Sequence, residues 1–403
     1  MKDTVKNHFD KEKPHTKIKH KLLKAALDIS LSISNSINHS KKENKPYVYI
    51  DLYAGSGKFK DENNGSPLIA LNTFEKYKNK KSFENIEMVV AEQNEQNAIN
   101  LKKNIEDEKK KLDLNDISCN TYLGSWETYS HELQGYIKSN KWGFIFVDPF
   151  SLELNLGNLI DLIKEGLYFK DILILINKTA QERVLGKPDA PDIKKICKYF
   201  NVTEDFLQRA IKSITQKGGT NEDIIQLLTK RAFKELNKDY KINVAITRTR
   251  QGELENADRF YLSLITSSFG VANNFLEKYS ELLEEKKETQ NNGQLGLPLF
   301  TSTYNSLEQK VKQEINNSTI SLYTLTKQLF NVFLSWKYTE HNEIPHKTAL
   351  LKVLNKLLEN NELVLVNPEN AKSKCINLNK NKILSEAFNS KENLKTIKVK
   401  LNR

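Results

Sequence analysis

The segment that most restricts this chain is residues 47–57, Tyr-Val-Tyr-Ile-Asp-Leu-Tyr-Ala-Gly-Ser-Gly. A β-favouring apolar run reaches an acid, Asp51, and then two glycines, Gly55 and Gly57. Such a run reads as a buried strand. Glycines placed directly after it let the chain turn sharply and bring its backbone close to a ligand. Dinucleotide-binding turns use a different rhythm, G-x-G-x-x-G, with the acid far downstream. Here the acid comes first, and Lys60 stands where a third glycine would be.

The rest of the first part of the chain alternates strands and helices around that turn. Gly65-Ser66-Pro67 opens a helix, with Ser66 read as its cap and Pro67 as its first residue. Residues 86–92 read as a second strand ending in Glu92, at the end where parallel sheets place ligands. A short third strand, residues 120–124, is followed by Ser125 and Trp126. Residues 142–147 are continuously apolar, which suits the middle of a parallel sheet, and Asp148-Pro149-Phe150 closes them. A carboxylate at such a strand end is costly unless partnered. Residues 171–176 are the fifth strand, and residues 178–192 are expected to be a substrate loop carrying Arg183 and Lys187. Two helices, 194–200 and 221–236, lead to an antiparallel hairpin of 241–248 and 260–266, then a helix over 275–285. Each singled-out residue also has a structural reading: Glu92 as a cap or solvated acid, Trp126 as a buried aromatic, Asp148 as a cap or loop acid.

Upstream, Ile18, Leu22, Ala25, Ala26, Ile29, Ile33 and Ile37 recur at helical spacing. Lys17, Lys19, Lys21 and Lys24 crowd the first two turns of that helix, the unfavourable end for its dipole. They are either a solvated face or a face turned to phosphate or cofactor.

The spacing Asp-x-x-x-Gly-x-Gly resembles the first motif of S-adenosylmethionine-dependent methyltransferases with a Rossmann-like fold. The resemblance implies an α/β class I sheet closed by a terminal antiparallel hairpin, with S-adenosylmethionine as cofactor. It implies that Asp51, Tyr53, Gly55 and Gly57 hold the methionine end, Glu92 the ribose hydroxyls, and Ser125 with Trp126 the adenine. Ser125 stands where that pattern usually has Asp. Asp148-Pro149-Phe150 resembles the Asp/Asn-Pro-Pro-aromatic motif of methyltransferases that act on exocyclic amino groups of bases. There the acid, here Asp148, and the carbonyl of Pro149 would accept the amine's protons, and Phe150 would stack on the extruded base. Only one proline is present, and Ser151 follows.

Residues 49–57, the run Gly-Ser-Pro-Leu-Ile-Ala-Leu at 65–71, Glu92 and residues 146–150 together resemble the three-Cys-motif partner proteins. The resemblance covers the N-terminal two thirds of the chain and implies a partner protein with three cysteines of cluster-like spacing. It supplies no substrate. The chain's own Cys119, Cys197 and Cys375 are far apart and odd in number. They make neither a metal-ligand pair nor a disulfide framework, which fits a reducing cytoplasm.

The 403 residues allow two domains. The expected limits are a disordered basic stretch at 1–15, a methyltransferase-like domain at 16–286, a linker at 287–303 and a winged-helix-like α+β domain at 304–403. The last rests on helical periodicity at 307–315, 322–333 and 346–358, followed by strand-like segments 362–366 and 373–378. The net charge of +11 is carried by the ends: +6 in residues 1–45 and +7 in residues 371–403. Basic ends on a neutral body suit contact with nucleic acid, DNA before RNA. A composition rich in Lys, Asn and Ile gives the same charge for a blander reason. No apolar run is long enough for a membrane span, and the Lys-rich start is not a secretory signal.

Within the linker, Gln294-Leu295-Gly296-Leu297-Pro298-Leu299-Phe300 resembles the short peptide by which bacterial proteins dock on the replicative sliding clamp. Gln294, Leu295, Leu297, Leu299 and Phe300 would be its contacts; an apolar anchor onto the chain's own domain is the other reading. Two functions follow: methyl transfer to an amino group of a nucleic acid, or a non-catalytic adaptor that brings its partner to DNA or the clamp.

Overall fold

The structure is a computed structural model. It describes residues 14–78, 83–150, 152, 154–164, 166, 170–186, 193–250, 253–291, 304–315, 319–330, 347–366, 388, 395 and 397–401. The chain divides into two units, Met1–Ser267 and Ser268–Arg403.

The first unit is built on a seven-stranded sheet: β1 (Tyr47–Asp51), β2 (Ile86–Glu92), β3 (Ser118–Leu123), β4 (Trp142–Val147), β5 (Lys170–Ile176), β6 (Tyr240–Arg250) and β7 (Glu253–Thr266). The order is β3-β2-β1-β4-β5-β7-β6. β1 lies between β2 and β4, parallel to both, and every residue of β1 is buried. Both edges of β1 and both its faces are therefore covered, which is why its run is apolar without alternation. Tyr49 stacks on Phe144 of the neighbouring strand, with ring centroids 6.4 Å apart. β7 runs antiparallel to β5 and to β6. This is the Rossmann-like methyltransferase sheet, with the strand order reversing direction at β1/β4. Ligands of such open sheets lie at that switch point, outside the carboxyl ends of the strands.

Helices cover both faces. They are α1 (Pro14–Lys41), α2 (Ser66–Phe74), α3 (Glu95–Leu112), α4 (Ser130–Lys138), α5 (Leu156–Ile163), α6 (Lys178–Leu185), α7 (Ile193–Phe200), α8 (Glu204–Thr215) and α9 (Asn221–Phe233). α1 is fastened to both ends of β4. The Trp142 indole N–H donates to Asn38 Oδ1 at 2.7 Å, and Lys19 pairs with Asp148 just past the other end.

Three expectations are corrected. Residues 178–185 form a helix, not a loop. The Asn177 side chain caps it by accepting from Ala180 N at 3.1 Å, and Lys178 on its inner face donates to Glu222 at 2.9 Å. The breakers Gly186, Pro188 and Pro191 all fall after that helix; Lys187 lies outside the described residues. A further helix, α8, separates the two expected ones; Thr203 starts it by accepting from Phe206 N at 3.2 Å. Gly65, not Ser66, is the cap of α2, because the Ser66 hydroxyl is engaged with Asp51.

The second unit comprises α10 (Phe269–Asn291), α11 (Tyr304–Ile315), β8 (Ile320–Ser321), α12 (Leu322–Phe330), α13 (Lys347–Glu359), β9 (Leu363–Val366) and β10 (Lys398–Leu401). Its small antiparallel sheet has the order β8-β10-β9. Phe269 stacks on Phe330 at 5.6 Å, and Lys347 N donates to the Asn273 side chain at 2.6 Å. Residues 294–300 and 373–378 lie outside the described residues. No helix among the described residues is long and apolar enough to cross a membrane.

Candidate functional site

The carboxyl ends of β1, β2 and β4 converge on one set of side chains. Strand alternation puts Tyr49 and Asp51 on the same face, and the Tyr49 hydroxyl donates to Asp51 Oδ2 at 3.1 Å. The Tyr53 amide donates to Asp51 Oδ1 at 3.2 Å. Asp51 is 0% exposed. Burial pushes its carboxyl up to about 7, and the charge of Asp148 adds to the rise. The hydrogen bonds from Ser66, Tyr53 and Tyr49 oppose it without cancelling it.

The turn after β1 is held by neighbours on both sides. Leu52 N donates to Phe146 O at 3.2 Å and Ala54 N to Ala91 O at 3.0 Å, so the turn stays in register with β4 and β2. Gly55 and Gly57 have φ of 62° and 77°, the left-handed region that glycine enters without strain. Gly55 N donates to Glu92 Oε2 at 2.8 Å. The other oxygen of Glu92 accepts from Asn94 N, also at 2.8 Å. Asn104 of α3 donates to Ser56 O at 2.9 Å, and Gly65 N donates to Gly57 O at 2.8 Å. The acid-then-glycine turn and the β2 acid are therefore one constellation, closed by a charge-assisted hydrogen bond.

Past β3, Ser125 caps a short 3-10 helix, Trp126–Tyr129. Its hydroxyl accepts from Glu127 N at 3.3 Å and donates to the Glu127 carboxylate. Trp126 is 2% exposed, and its indole N–H donates to the Tyr53 hydroxyl at 3.0 Å. It is a buried aromatic, and the bond ties the end of β3 to the turn after β1. Past β4, Asp148 forms an ion pair with Lys19; the two side chains are 14% (Lys19) and 20% (Asp148) exposed. Phe150 is 42% exposed. His20, next to Lys19, is buried, with its ring 5.8 Å from Phe59 in the loop after the glycine turn.

The structure thus brings Asp51, Tyr53, Gly55, Glu92 and Trp126 together through direct hydrogen bonds, with Asp148 close enough to raise Asp51. Reading the sequence missed Lys19, Tyr49 and Ser66. The lysine set at the unfavourable end of α1 was the one signal for Lys19, and period-two alternation was the signal for Tyr49. Nothing local marks Ser66 as a partner of Asp51. A recess of about 200 Å³ lined by Lys102, Ile105, Glu106, Cys119 and Tyr122 flanks edge strand β3 and shares no residue with this constellation.

No family model matches the chain, and no curated protein matches it. Among solved structures, protein LPL1258 from Legionella pneumophila str. Philadelphia 1, described by the family model DUF519, is similar over 66% of this chain and 92% of its own, at 11% identity and TM-score 0.37. Precorrin-6y C5,15-methyltransferase from Geobacter metallireducens GS-15 is similar over 58% and 87%, at 15% identity and TM-score 0.27. A loganic acid methyltransferase with SAH is similar over 58% and 75%, at 10% identity and TM-score 0.24. The fold assignment rests on the strand order itself, and none of the three speaks to the chemistry of this chain.

Proposed function

We propose that the chain is an S-adenosylmethionine-dependent methyltransferase acting on an amino group of a nucleic acid, working with a three-cysteine-motif partner protein. The observation that carries this reading is the 2.8 Å bond from Gly55 N to Glu92. It draws the acid-then-glycine turn and the β2 acid into one site at the switch point of the sheet.

The residues fit the cofactor. A buried carboxylate raised to about 7 is the group that a ligand's ammonium would relieve. Each oxygen of Glu92 accepts one backbone N–H and keeps a lone pair for a hydroxyl. When bound, S-adenosylmethionine supplies a methyl group on a sulfonium centre. Asp51, Tyr53, Gly55 and Gly57 would hold its amino-acid end, Glu92 its ribose, and Ser125 with Trp126 would border its adenine. Asp148 and the Pro149 carbonyl would accept the N–H bonds of the target amine, and Phe150 would support the face of its base. Lys19 holds the Asp148 carboxylate in an ion pair that the amine would replace. These groups align rather than ionise, and alignment is worth most of the rate in such a displacement.

Calorimetric titration with S-adenosylmethionine tests the first step: wild type binds, and Glu92→Ala binds roughly tenfold or more weakly, the loss of a charged hydrogen-bond acceptor. No heat with wild type removes the reading. Transfer of radiolabelled methyl to DNA, RNA and protein, with and without a three-cysteine partner, tests the acceptor.

The Lys19–Asp148 pair also supports a second reading, a non-catalytic adaptor, because it occupies the carboxylate the reaction needs. Cofactor binding without transfer to any acceptor selects it. In the second unit, the sequence helix–strand–helix–helix–strand–strand with sheet order β8-β10-β9 supports a winged-helix module. A winged helix serves protein contacts as well as DNA. Retention on an immobilised sliding clamp, compared with Gln294→Ala/Leu299→Ala, tests the peptide at 294–300; equal retention discards it.

A further inference from the structure

The seven-stranded sheet ends in two edge strands, β3 and β6, and the chain treats them differently. β6 carries Lys241, Arg248 and Arg250, and its register with β7 shifts on either side of Thr247. Charge and irregular register are devices that stop an edge from pairing with another chain. β3 is Ser-Cys-Asn-Thr-Tyr-Leu, with no charge and no proline. Its register with β2 runs unshifted from Ser118 to Leu123. Just past it, Gly124 N donates to Glu92 O at 2.9 Å. Backbone groups alternate sides along a strand, so Cys119, Thr121 and Leu123 turn their N–H and C=O groups away from β2. The Leu123 carbonyl accepts from the Tyr129 hydroxyl at 2.6 Å. Among the described residues, nothing pairs with the outward backbone groups of Cys119 and Thr121.

The flank of this edge is shaped and partly apolar. Asn120 and Tyr122 lie on the α4 side: the Asn120 amide donates to the Tyr136 hydroxyl at 2.8 Å, and the Tyr122 and Tyr129 rings are 4.7 Å apart. Alternation puts Cys119, Thr121 and Leu123 on the α3 side. Leu123 is 47% and Ile99 57% exposed, two of the four exposed large apolar side chains among the described residues. Ile99, Lys102 and Glu106 share one face of α3 at i, i+3 and i+7. The recess of about 200 Å³ lies between that face and β3.

A second copy of the chain fits these features together. An antiparallel pairing about a two-fold axis at Thr121 sets that residue opposite itself and Cys119 opposite the other copy's Leu123. Cys119 lines the recess, so each Leu123 is aimed at the other copy's recess. Knob and socket then come from one surface, as an isologous contact requires. The charges match as well. Lys102 and Glu106 stand one turn apart beside the same stretch of β3, so the two-fold turns each Lys102 toward the other copy's Glu106. A strand of this length spans about 20 Å. With the flanking face of α3 it buries on the order of 1,000 Å², the low end for a specific interface.

We propose that β3 pairs with β3 of a second copy, antiparallel about a two-fold axis, joining the two sheets into one. The pairing does not depend on the chemistry proposed above.

Sedimentation of the full chain at about 1 to 200 µM, the range suited to an interface of this size, is the test. Wild type should move from the mass of one chain toward that of two. Thr121→Pro removes the central outward N–H, and Leu123→Gln removes the knob; each should raise the dimer dissociation constant roughly tenfold or more. Lys102→Glu sets acid against acid and should weaken the dimer, and Lys102→Glu/Glu106→Lys should restore it. Leu227→Gln, at an exposed apolar residue of α9, is the control and should change nothing. Lys102, Glu106 and Leu123 are exposed, so their variants should keep the wild-type thermal midpoint and decide the matter even where Thr121→Pro costs stability. A wild type that stays monomeric throughout, a dimer that survives both edge variants, or a charge swap that fails to restore pairing overturns the proposal. So does a monomer retained by an immobilised three-cysteine protein and released by Thr121→Pro, which gives the edge to that partner instead.

Discussion

Asp51→Asn should make this protein more stable, and the gain should depend on pH in a defined way. The carboxyl of Asp51 is raised from 3.8 to about 7, chiefly by burial. One pKa unit is worth about 1.4 kcal/mol, so a rise of roughly three units costs about 4 kcal/mol when the group is ionised in the fold. The unfolded chain ionises first. Between pH 4 and 7 the folded state therefore holds the extra proton, and stability falls as pH rises. The cost is absent below about pH 4 and complete above about pH 7. Asn carries no charge to desolvate, but it gives up one acceptor among Tyr49, Tyr53 and Ser66, a loss of about 1–2 kcal/mol. The net expectation is a gain of about 2 kcal/mol at pH 8, or roughly 4–8 °C in Tm for a unit of this size. At pH 4 the same variant should match wild type or fall below it. Thermal unfolding of both proteins from pH 4 to 8 measures the difference, which should widen up to about pH 7 and then level off. A difference that is flat across this range would refute the reasoning, as would an Asn variant less stable than wild type at pH 8. The stabilised variant should also lose cofactor affinity, since the unfavourable buried charge is what a ligand's ammonium would use.

Three other outcomes are expected. Gly57→Ala imposes a side chain at φ 77° with its Cβ 3.0 Å from Leu101 Cδ1, and should lose about 1–3 kcal/mol in denaturant titration. Lys170, buried at the start of β5, has its ammonium pushed down to about 7 by burial and by the charges of Lys238 and Lys141; the unfolded chain keeps its proton to higher pH, so wild-type stability should rise from about pH 7 to 9, and Lys170→Met should flatten that rise. A double-mutant cycle of Lys19→Met and Asp148→Asn, read by thermal unfolding, should give a coupling of about 1 kcal/mol or more, above the usual range for exposed pairs; zero coupling would show the pair to be incidental.

The central parallel strands were legible because each is a short apolar run, and burial on both faces leaves no alternation to confuse. Tyr47–Asp51 and Trp142–Val147 are examples. Helices that start on a polar cap were harder. Asn177 and Thr203 are ordinary cap residues, but Gly186 and the nearby prolines masked the first and a short amphipathic pattern hid the second. At the site, residues in one strand–turn unit were found together, since Asp51, Tyr53, Gly55 and Gly57 are close in sequence. The bonds that join units were not. Gly55 to Glu92 spans 37 positions and Lys19 to Asp148 spans 129. No local periodicity encodes such contacts; only the strand order brings them together.

α1 is pinned near both termini of a single strand, by Asn38 to Trp142 and by Lys19 to Asp148. The two fastenings differ in kind. One joins neutral groups deep beneath the sheet's amino edge; the other joins opposite charges at a partly open rim. An anion arriving at that rim competes for the second alone. Loss of that pair alone would leave α1 held by its far anchor and by the buried Leu22, Leu23, Ala26 and Leu27, with Asp148 released.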